Sequence, residues 1–397
     1  MVTIDKIFHA SVVLKDIIRP TPLAKAYGIA EDCELYLKPE CLQKTGSFKL
    51  RGSGYKIAML SEEEKAKGVI ACSAGNHAQG VALAASKCGI SSLICLPDTA
   101  PISKVEATKG FGAQVCLVPG VYDDAYNRAL ELKEERGYTF VHPFDDEYVI
   151  AGQGTIGLEI MNELSDVDAV IVPIGGGGLI SGVACAIKSI SPHVKVYGVQ
   201  AAGAPSMFNA IHHGHMEALE KVSTIADGIA VKKPGDITYE MVKNYVDDIA
   251  LVTEDEIAAA ILALIEKQKM IAEGAGAVSV AAAMFHKFPL AGKKVVSLIS
   301  GGNIDVTSLS RVIDRGLMKS GRTTNLLIEL ADKPGQLMEV SRIIAQCGGN
   351  VISVHHERNG ETESINGCYL RLTLETRNYD HVQQITQALK DAGFKIV

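Results

Sequence analysis

The 397-residue chain has no tryptophan and few other aromatics, 12 Tyr and 9 Phe. So sparse a set of rings gives little surface for base stacking. Basic charge is not in excess: 39 Lys and Arg stand against 46 Asp and Glu, a net charge of −7. Such a chain exerts no bulk pull on nucleic acid or anionic lipid. No C-x-x-C pair occurs among Cys33, Cys41, Cys72, Cys88, Cys95, Cys116, Cys185, Cys347 and Cys368. An odd count without that spacing argues against a disulfide framework or a zinc site, and for buried thiols in a reducing compartment. There is no long apolar run: residues 271–285 are short for a membrane span and include Glu273. Residues 1–19 mix Asp5, Lys6 and Asp16 into apolar positions, the pattern of an amphipathic helix and not of a signal peptide. The expectation is a cytoplasmic protein with neither a membrane nor a nucleic-acid partner. With 47% hydrophobic and 21% charged residues the chain is too apolar to be disordered, and its length suits two or three domains.

What is there is an alternation. Apolar runs at 34–38, 69–72, 92–96, 114–118, 140–142, 169–174, 195–199 and 294–299 read as strands, several apolar throughout, as strands buried on both faces are. Between them, 76–88, 122–136 and 179–189 carry apolar residues at helical spacing. The fold class is therefore α/β with mainly parallel sheets. Residues 254–284 read as two helices broken near 273–276. The pattern changes near 320–324. Beyond it the order is strand (325–330), helix (335–347), strand (350–357), strand (367–375), helix (379–392), strand (394–397). That βαββαβ order is the split ferredoxin-like unit.

Four segments carry chemistry. In Lys44-Thr45-Gly46-Ser47-Phe48-Lys49, a lysine ends a small polar turn that opens a helix, where an amine can be held against a bound aldehyde. In Ser73-Ala74-Gly75-Asn76-His77, directly after the strand at 69–72, a polar turn enters a helix, and its free N–H groups suit a carboxylate. Gly175-Gly176-Gly177-Gly178-Leu179 lies between a strand and a helix, where four glycines let the backbone wrap an oxyanion. In Ser300-Gly301-Gly302-Asn303 a hydroxyl at a strand end can reach a ring nitrogen in a cleft.

Two strings are decoys. Gly152-Gln153-Gly154-Thr155-Ile156-Gly157 spells a dinucleotide fingerprint, but no convincing strand precedes it and no acid ends the next strand. His212, His213 and His215, and the pair His355 and His356, lack the spacing and carboxylate support of a zinc site and read as a solvated helix end and a strand. No metal site is expected.

In their order, the strings KTGSFKLRG, SAGNHAQG, GGGGLISG and SGGN resemble the fold-type-II pyridoxal-phosphate enzymes, and most of all their threonine/serine dehydratase branch. The resemblance covers about residues 1–318. It implies two open twisted sheets flanked by helices, with a smaller subdomain at about 50–145. Residues 319–324 are then a linker. Residues 325–397, with Asp332-Lys333-Pro334-Gly335 in their first loop, resemble an ACT domain, an amino-acid-sensing module.

The resemblance implies roles for individual residues. Lys49 is the Schiff-base lysine, Phe48 lies against the pyridoxal 5′-phosphate ring, and Asn76 bonds the ring hydroxyl. Gly175, Gly176, Gly177, Gly178 and Leu179 hold the phosphate, and Ser300 meets the ring nitrogen. Ser73, Ala74, Gly75, Asn76 and His77 close on the substrate carboxylate. Gly335 and Asn350 are the expected effector residues. The implied activity is elimination of water and ammonia from L-threonine, with L-serine as a second substrate, in a homodimer or homotetramer regulated by an amino acid such as isoleucine. The alternatives are a serine dehydratase or serine racemase, with cysteine synthase a weaker fit, or a sensor with a dead catalytic half. Ala74 stands where related racemases carry the serine that protonates the second face. Gln200 and Ser206 stand where those racemases have acids for a divalent cation.

Overall fold

A computed structural model of the chain describes residues 2–358 and 367–397. It divides into two units, Met1–Asp305 and Val306–Val397. The division precedes the helix Val306–Lys319, so residues 319–324, expected to be a linker, lie within the second unit.

The first unit has strands β1 (Ala24–Lys25), β2 (Glu34–Pro39), β3 (Val69–Cys72), β4 (Ser92–Pro97), β5 (Gln114–Val118), β6 (Thr139–Phe140), β7 (Ala169–Pro173), β8 (Lys195–Ala201), β9 (Asp248–Val252) and β10 (Lys294–Ile299). They form two open sheets, in the orders β1-β2-β10-β7-β8-β9 and β5-β4-β3-β6. Every pairing is parallel except β1 on β2. The central strands are apolar because helices cover both faces: all residues of β3 and β7 are buried. The short β1 and the half-buried edge strand β9 are absent from the sequence expectations. β1 is only two residues long, and β9 opens on Asp248 before a four-residue apolar run, 249–252, that the expectations omit.

The dinucleotide-like string sits inside the helix Glu147–Glu163, not in a phosphate loop. Its glycines serve helix packing. A Cβ at Gly154 would come 2.9 Å from the Gly182 carbonyl, and one at Gly157 2.9 Å from that of Val183, both on the helix Gly178–Ile190. The break in 254–284 falls earlier than the residues suggest. A π turn, Leu264–Gln268, ends on Lys269 in the left-handed region, and the next helix, Gly274–Met284, already contains the expected break. His212 and His213 close the helix Ser206–His213, as expected.

The second unit contains Val306–Lys319 and then β11 (Thr323–Ala331), a helix Gln336–Gln346, β12 (Asn350–Glu357), β13 (Gly367–Glu375), a helix Tyr379–Asp391 and β14 (Lys395–Ile396). The sheet order is β12-β13-β11-β14, antiparallel throughout, so the βαββαβ reading holds. Alternate residues Leu326, Ile328 and Leu330 of β11 and Leu370, Leu372 and Leu374 of β13 are buried with Val340, Ile344, Ile385 and Leu389 of the helices. All nine cysteines are free. Among the described residues, no helix is long and apolar enough to cross a membrane.

Candidate active site

Strands β3, β7 and β10 end in polar, glycine-containing turns, and all three turns open into one cleft of about 940 Å³ in the first unit. Binding beyond the carboxyl ends of parallel strands is general in such sheets. Every catalytic, cofactor and substrate residue expected from the sequence lines this cleft: Phe48, Lys49, Ser73, Ala74, Gly75, Asn76, His77, Gly175, Gly176, Gly177, Gly178, Leu179 and Ser300.

Lys49 opens the helix Lys49–Ala58 and keeps part of its surface toward the cleft. Its turn is stitched to the β10 turn: the Phe48 N–H donates to the Ser300 carbonyl at 3.0 Å and the Gly302 N–H to that of Gly46 at 2.9 Å. Lys49 Nζ donates to the Pro143 carbonyl at 2.8 Å. Burial pushes its ammonium down to about 8, against an opposing pull from Glu273. A substantial neutral fraction near physiological pH makes this amine a nucleophile.

The helix is held from behind by charge. Arg51 Nε and Nη2 donate to both carboxylate oxygens of Glu40 at 2.8 Å, and Nη1 meets Glu159 Oε1 at 2.6 Å. Arg51 and Glu40 have no exposed surface. Burial opposes the guanidinium charge, but the two carboxylates override it and hold the group above its ordinary range. Losing one partner of such a pair leaves a buried, uncompensated charge.

In the glycine loop, Thr238 Oγ1 donates to the Gly176 carbonyl at 2.6 Å. A Cβ at Gly176 would lie 2.5 Å from the Phe144 ring, and Gly177 has φ +98°. The helix begins at Gly178, so its first N–H groups have no intrahelical partner. This loop therefore tolerates no side chains and presents unpaired donors, which fits the phosphate of pyridoxal phosphate. The Ser73–His77 side offers a second helix start, at Asn76, with no side-chain cap. His77 donates from Nε2 to the Val141 carbonyl at 2.8 Å. Burial and the nearby Lys49 charge push it down to about 3, so it is neutral. Ser300 Oγ is buried and donates to the Ala275 carbonyl at 3.2 Å.

Two residues of the site escaped the sequence reading. Glu273 lines the cleft, and its Oε1 accepts from Asn76 Nδ2 at 2.6 Å. Burial, reinforced by Asp227, pushes this carboxyl up to about 7, against the Asn76 hydrogen bond and the charges of Lys104 and Lys49. The signal was visible: an acid heading a stretch of glycine and alanine has to be paired or functional. Asn303 is the other. Its Nδ2 donates to Asn76 Oδ1 and to the Thr45 carbonyl, both at 2.7 Å, and so ties the Asn76 side chain to the lysine turn. Across the cleft, Lys104 pairs with Asp227 at 2.9 Å.

Gly335 and Asn350 belong to the second unit. Gly335, with φ +90°, caps the helix Gln336–Gln346, and Asn350 Nδ2 donates to Glu375 at 3.2 Å. Asn350 and Thr323 both pair with Glu375, whereas Gly335 follows Ala331 at the other end of β11. Within one chain the two therefore stand at opposite ends of the sheet.

Comparison with known proteins agrees with this geometry. Residues 14–301 match the model of the pyridoxal-phosphate dependent enzyme family. An L-threonine ammonia-lyase of Thermotoga maritima is 52% identical over 398 residues, covering 100% of this chain and 99% of that protein. The processed form of threonine deaminase isoform 2 from Solanum lycopersicum is 40% identical with a TM-score of 0.74, over 78% of this chain and 93% of that one. Maize serine racemase is 35% identical with a TM-score of 0.75, over 80% of this chain and 98% of that one. The chain belongs to the pyridoxal-phosphate dependent enzyme family, as a fold-type-II lyase.

Proposed function

We propose that the protein is an L-threonine ammonia-lyase, which converts L-threonine to 2-oxobutanoate and ammonia and L-serine, more slowly, to pyruvate. The observation that carries this reading is the meeting in one cleft of Lys49, the 73–77 turn and the four-glycine loop. The similarity to the Thermotoga protein over the whole chain supports the choice of substrate.

Lys49 holds the cofactor aldehyde, Gly175 to Leu179 its phosphate, Asn76 its ring hydroxyl and Ser300 its ring nitrogen. Bound pyridoxal phosphate supplies an electron sink for the charge that develops at the substrate Cα. The turn from Ser73 to His77 takes the substrate carboxylate on its N–H groups. That orients the Cα–H bond toward Lys49, whose amine, freed when the substrate amine takes its place, would accept the proton. Glu273 and Asn303 fix the Asn76 side chain from two sides. Ser300, where a carboxylate could stand, would meet the ring nitrogen with a buried hydroxyl and add no charge there.

The racemase reading has one observation in its favour, the likeness to maize serine racemase. Ala74 speaks against it, because a methyl group carries no proton for the opposite face. The second unit is proposed as an ACT domain that binds an amino acid, isoleucine by preference. Gly335 and Asn350 stand at opposite ends of its sheet, so an effector site using both is built between two copies, which fits a homodimer or homotetramer. The proposed location is the cytoplasm.

Product analysis tests the reading. Purified enzyme given L-threonine should release 2-oxobutanoate and ammonia in equal amounts, and L-serine should yield pyruvate with little D-serine. D-serine formed as fast as pyruvate would establish the racemase instead.

A further inference from the structure

Outside the cleft, one group of side chains has no part in this chemistry. Asp332, His356 and Cys368 come from the end of β11, from β12 and from β13. In the antiparallel register Leu330 pairs with Cys368, and His356 pairs with Leu370. A two-residue step keeps the same face of a strand, so His356 and Cys368 share one face at one end of the sheet, and Asp332, in the bend just after β11, lies beside them. Their ligating atoms lie within 4.8 Å of one another, and His356 Nε2 is 3.0 Å from Cys368 Sγ. Cys368 is buried, while Asp332 and His356 are exposed.

We propose that these three residues form a binding site for a divalent transition metal of the zinc class. One thiol, one imidazole and one carboxylate make a borderline-soft donor set, suited to zinc and unsuited to calcium or magnesium, which want several oxygens. Metal–ligand bonds of about 2.0–2.3 Å put the donor atoms of a tetrahedral site roughly 3–4 Å apart, within the separation seen here. As the metal–sulfur bond forms, the Cys368 thiol proton passes to solvent. The metal would fasten the end of β11 to β12 and β13, immediately before the loop that ends at Gly335.

The sequence hides the site because its residues are 24 and 12 positions apart and match no ligand spacing. One neighbour competes for it. Arg358 Nε lies 3.1 Å from Asp332 Oδ2, and Nη2 donates to Oδ1 at 3.3 Å. That exposed pair is of the weak kind and leaves the carboxylate open to a stronger ligand. Without a metal, this ion pair and the imidazole–thiol contact give the cluster a purely structural role, and the two readings separate on removal of Arg358.

The test uses the full-length, cofactor-loaded enzyme, freed of metal by a chelator and dialysed against Zn²⁺. Metal content is compared with that of a His356→Gln, Cys368→Ser double variant. The wild type should hold one more equivalent of Zn²⁺. Co²⁺ in its place should give d–d bands in the red, clear of the cofactor, and the thiolate signature should vanish in Cys368→Ser. Changes to groups behind a ligand already cost about 10–100-fold in affinity, so His356→Gln and Asp332→Asn should each weaken binding at least about tenfold. Arg358→Gln should tighten it severalfold. The proposal is overturned if the wild type and the double variant bind equal Zn²⁺. It is also overturned if His356→Gln, an exposed substitution that leaves the buried thiol in place, binds as the wild type does.

Discussion

The two units use strands in opposite ways. In the first, strands run parallel and end together, so turns distant in sequence converge on one cleft. Four segments spread from Lys49 to Ser300 become neighbours, and β3 and β7, which lead into two of them, are fully buried. In the second, strands alternate in direction and helix-side residues form the core. One arrangement suits a rigid site within a chain, the other a site completed by a second copy or a small ligand. The solved neighbours match only about four-fifths of this chain while being almost fully covered themselves, so the first architecture occurs without the second.

Lys49→Ala should separate the units most sharply. Loss of both the cofactor's covalent partner and the proton acceptor should lower threonine turnover by more than about 10⁴-fold and abolish the visible absorbance of the bound cofactor. Amino-acid binding to the second unit, followed by calorimetry, should persist. Arg51→Ala comes next and acts on folding. Leaving the wholly buried Glu40 carboxylate without its guanidinium should cost about 3–5 kcal/mol in denaturant unfolding of the first unit, with the second unit little changed. Ser300→Asp should keep the cofactor bound but slow elimination at least about tenfold, with more exchange of the Cα proton, because a carboxylate keeps the ring nitrogen protonated.

A smaller effect is expected from Glu273→Gln. Glu273 has its folded value raised to about 7 from an ordinary 4.5. Its contribution to stability is therefore fully present below about pH 4.5 and is lost as pH rises through 7. Glutamine removes that dependence. Between pH 5 and 8 the cofactor-free wild type should lose about 1–3 kcal/mol relative to the variant, measured by urea unfolding. A parallel pH dependence in the two proteins would mean that the carboxyl titrates elsewhere.

The sequence made some of this legible and not the rest. The strands leading into the glycine turns stood out because burial on both faces makes them apolar throughout. The βαββαβ order emerged because apolar residues alternate along β11 and β13 and recur at helical spacing in the two helices. Which strands share a sheet depends on pairings between distant residues and could not be read locally. β9 was legible but omitted, since 249–252 is an apolar run as long as 69–72. Glu273 and Asn303 escaped because their roles are set by Asn76, nearly two hundred and more than two hundred residues away. The grouping of Asp332, His356 and Cys368 is likewise a product of register. Gly152 to Gly157 show the converse, since the same letters serve a phosphate loop or a close helix crossing, and only the surrounding elements decide.

The division of labour between the units is tested most directly by steady-state threonine turnover of the full chain and of a form ending at Ser320, each with and without isoleucine. Both forms should make 2-oxobutanoate, and only the full chain should respond to isoleucine. A truncated form that responds as the full chain does, or one that binds cofactor yet makes no 2-oxobutanoate, would contradict that division.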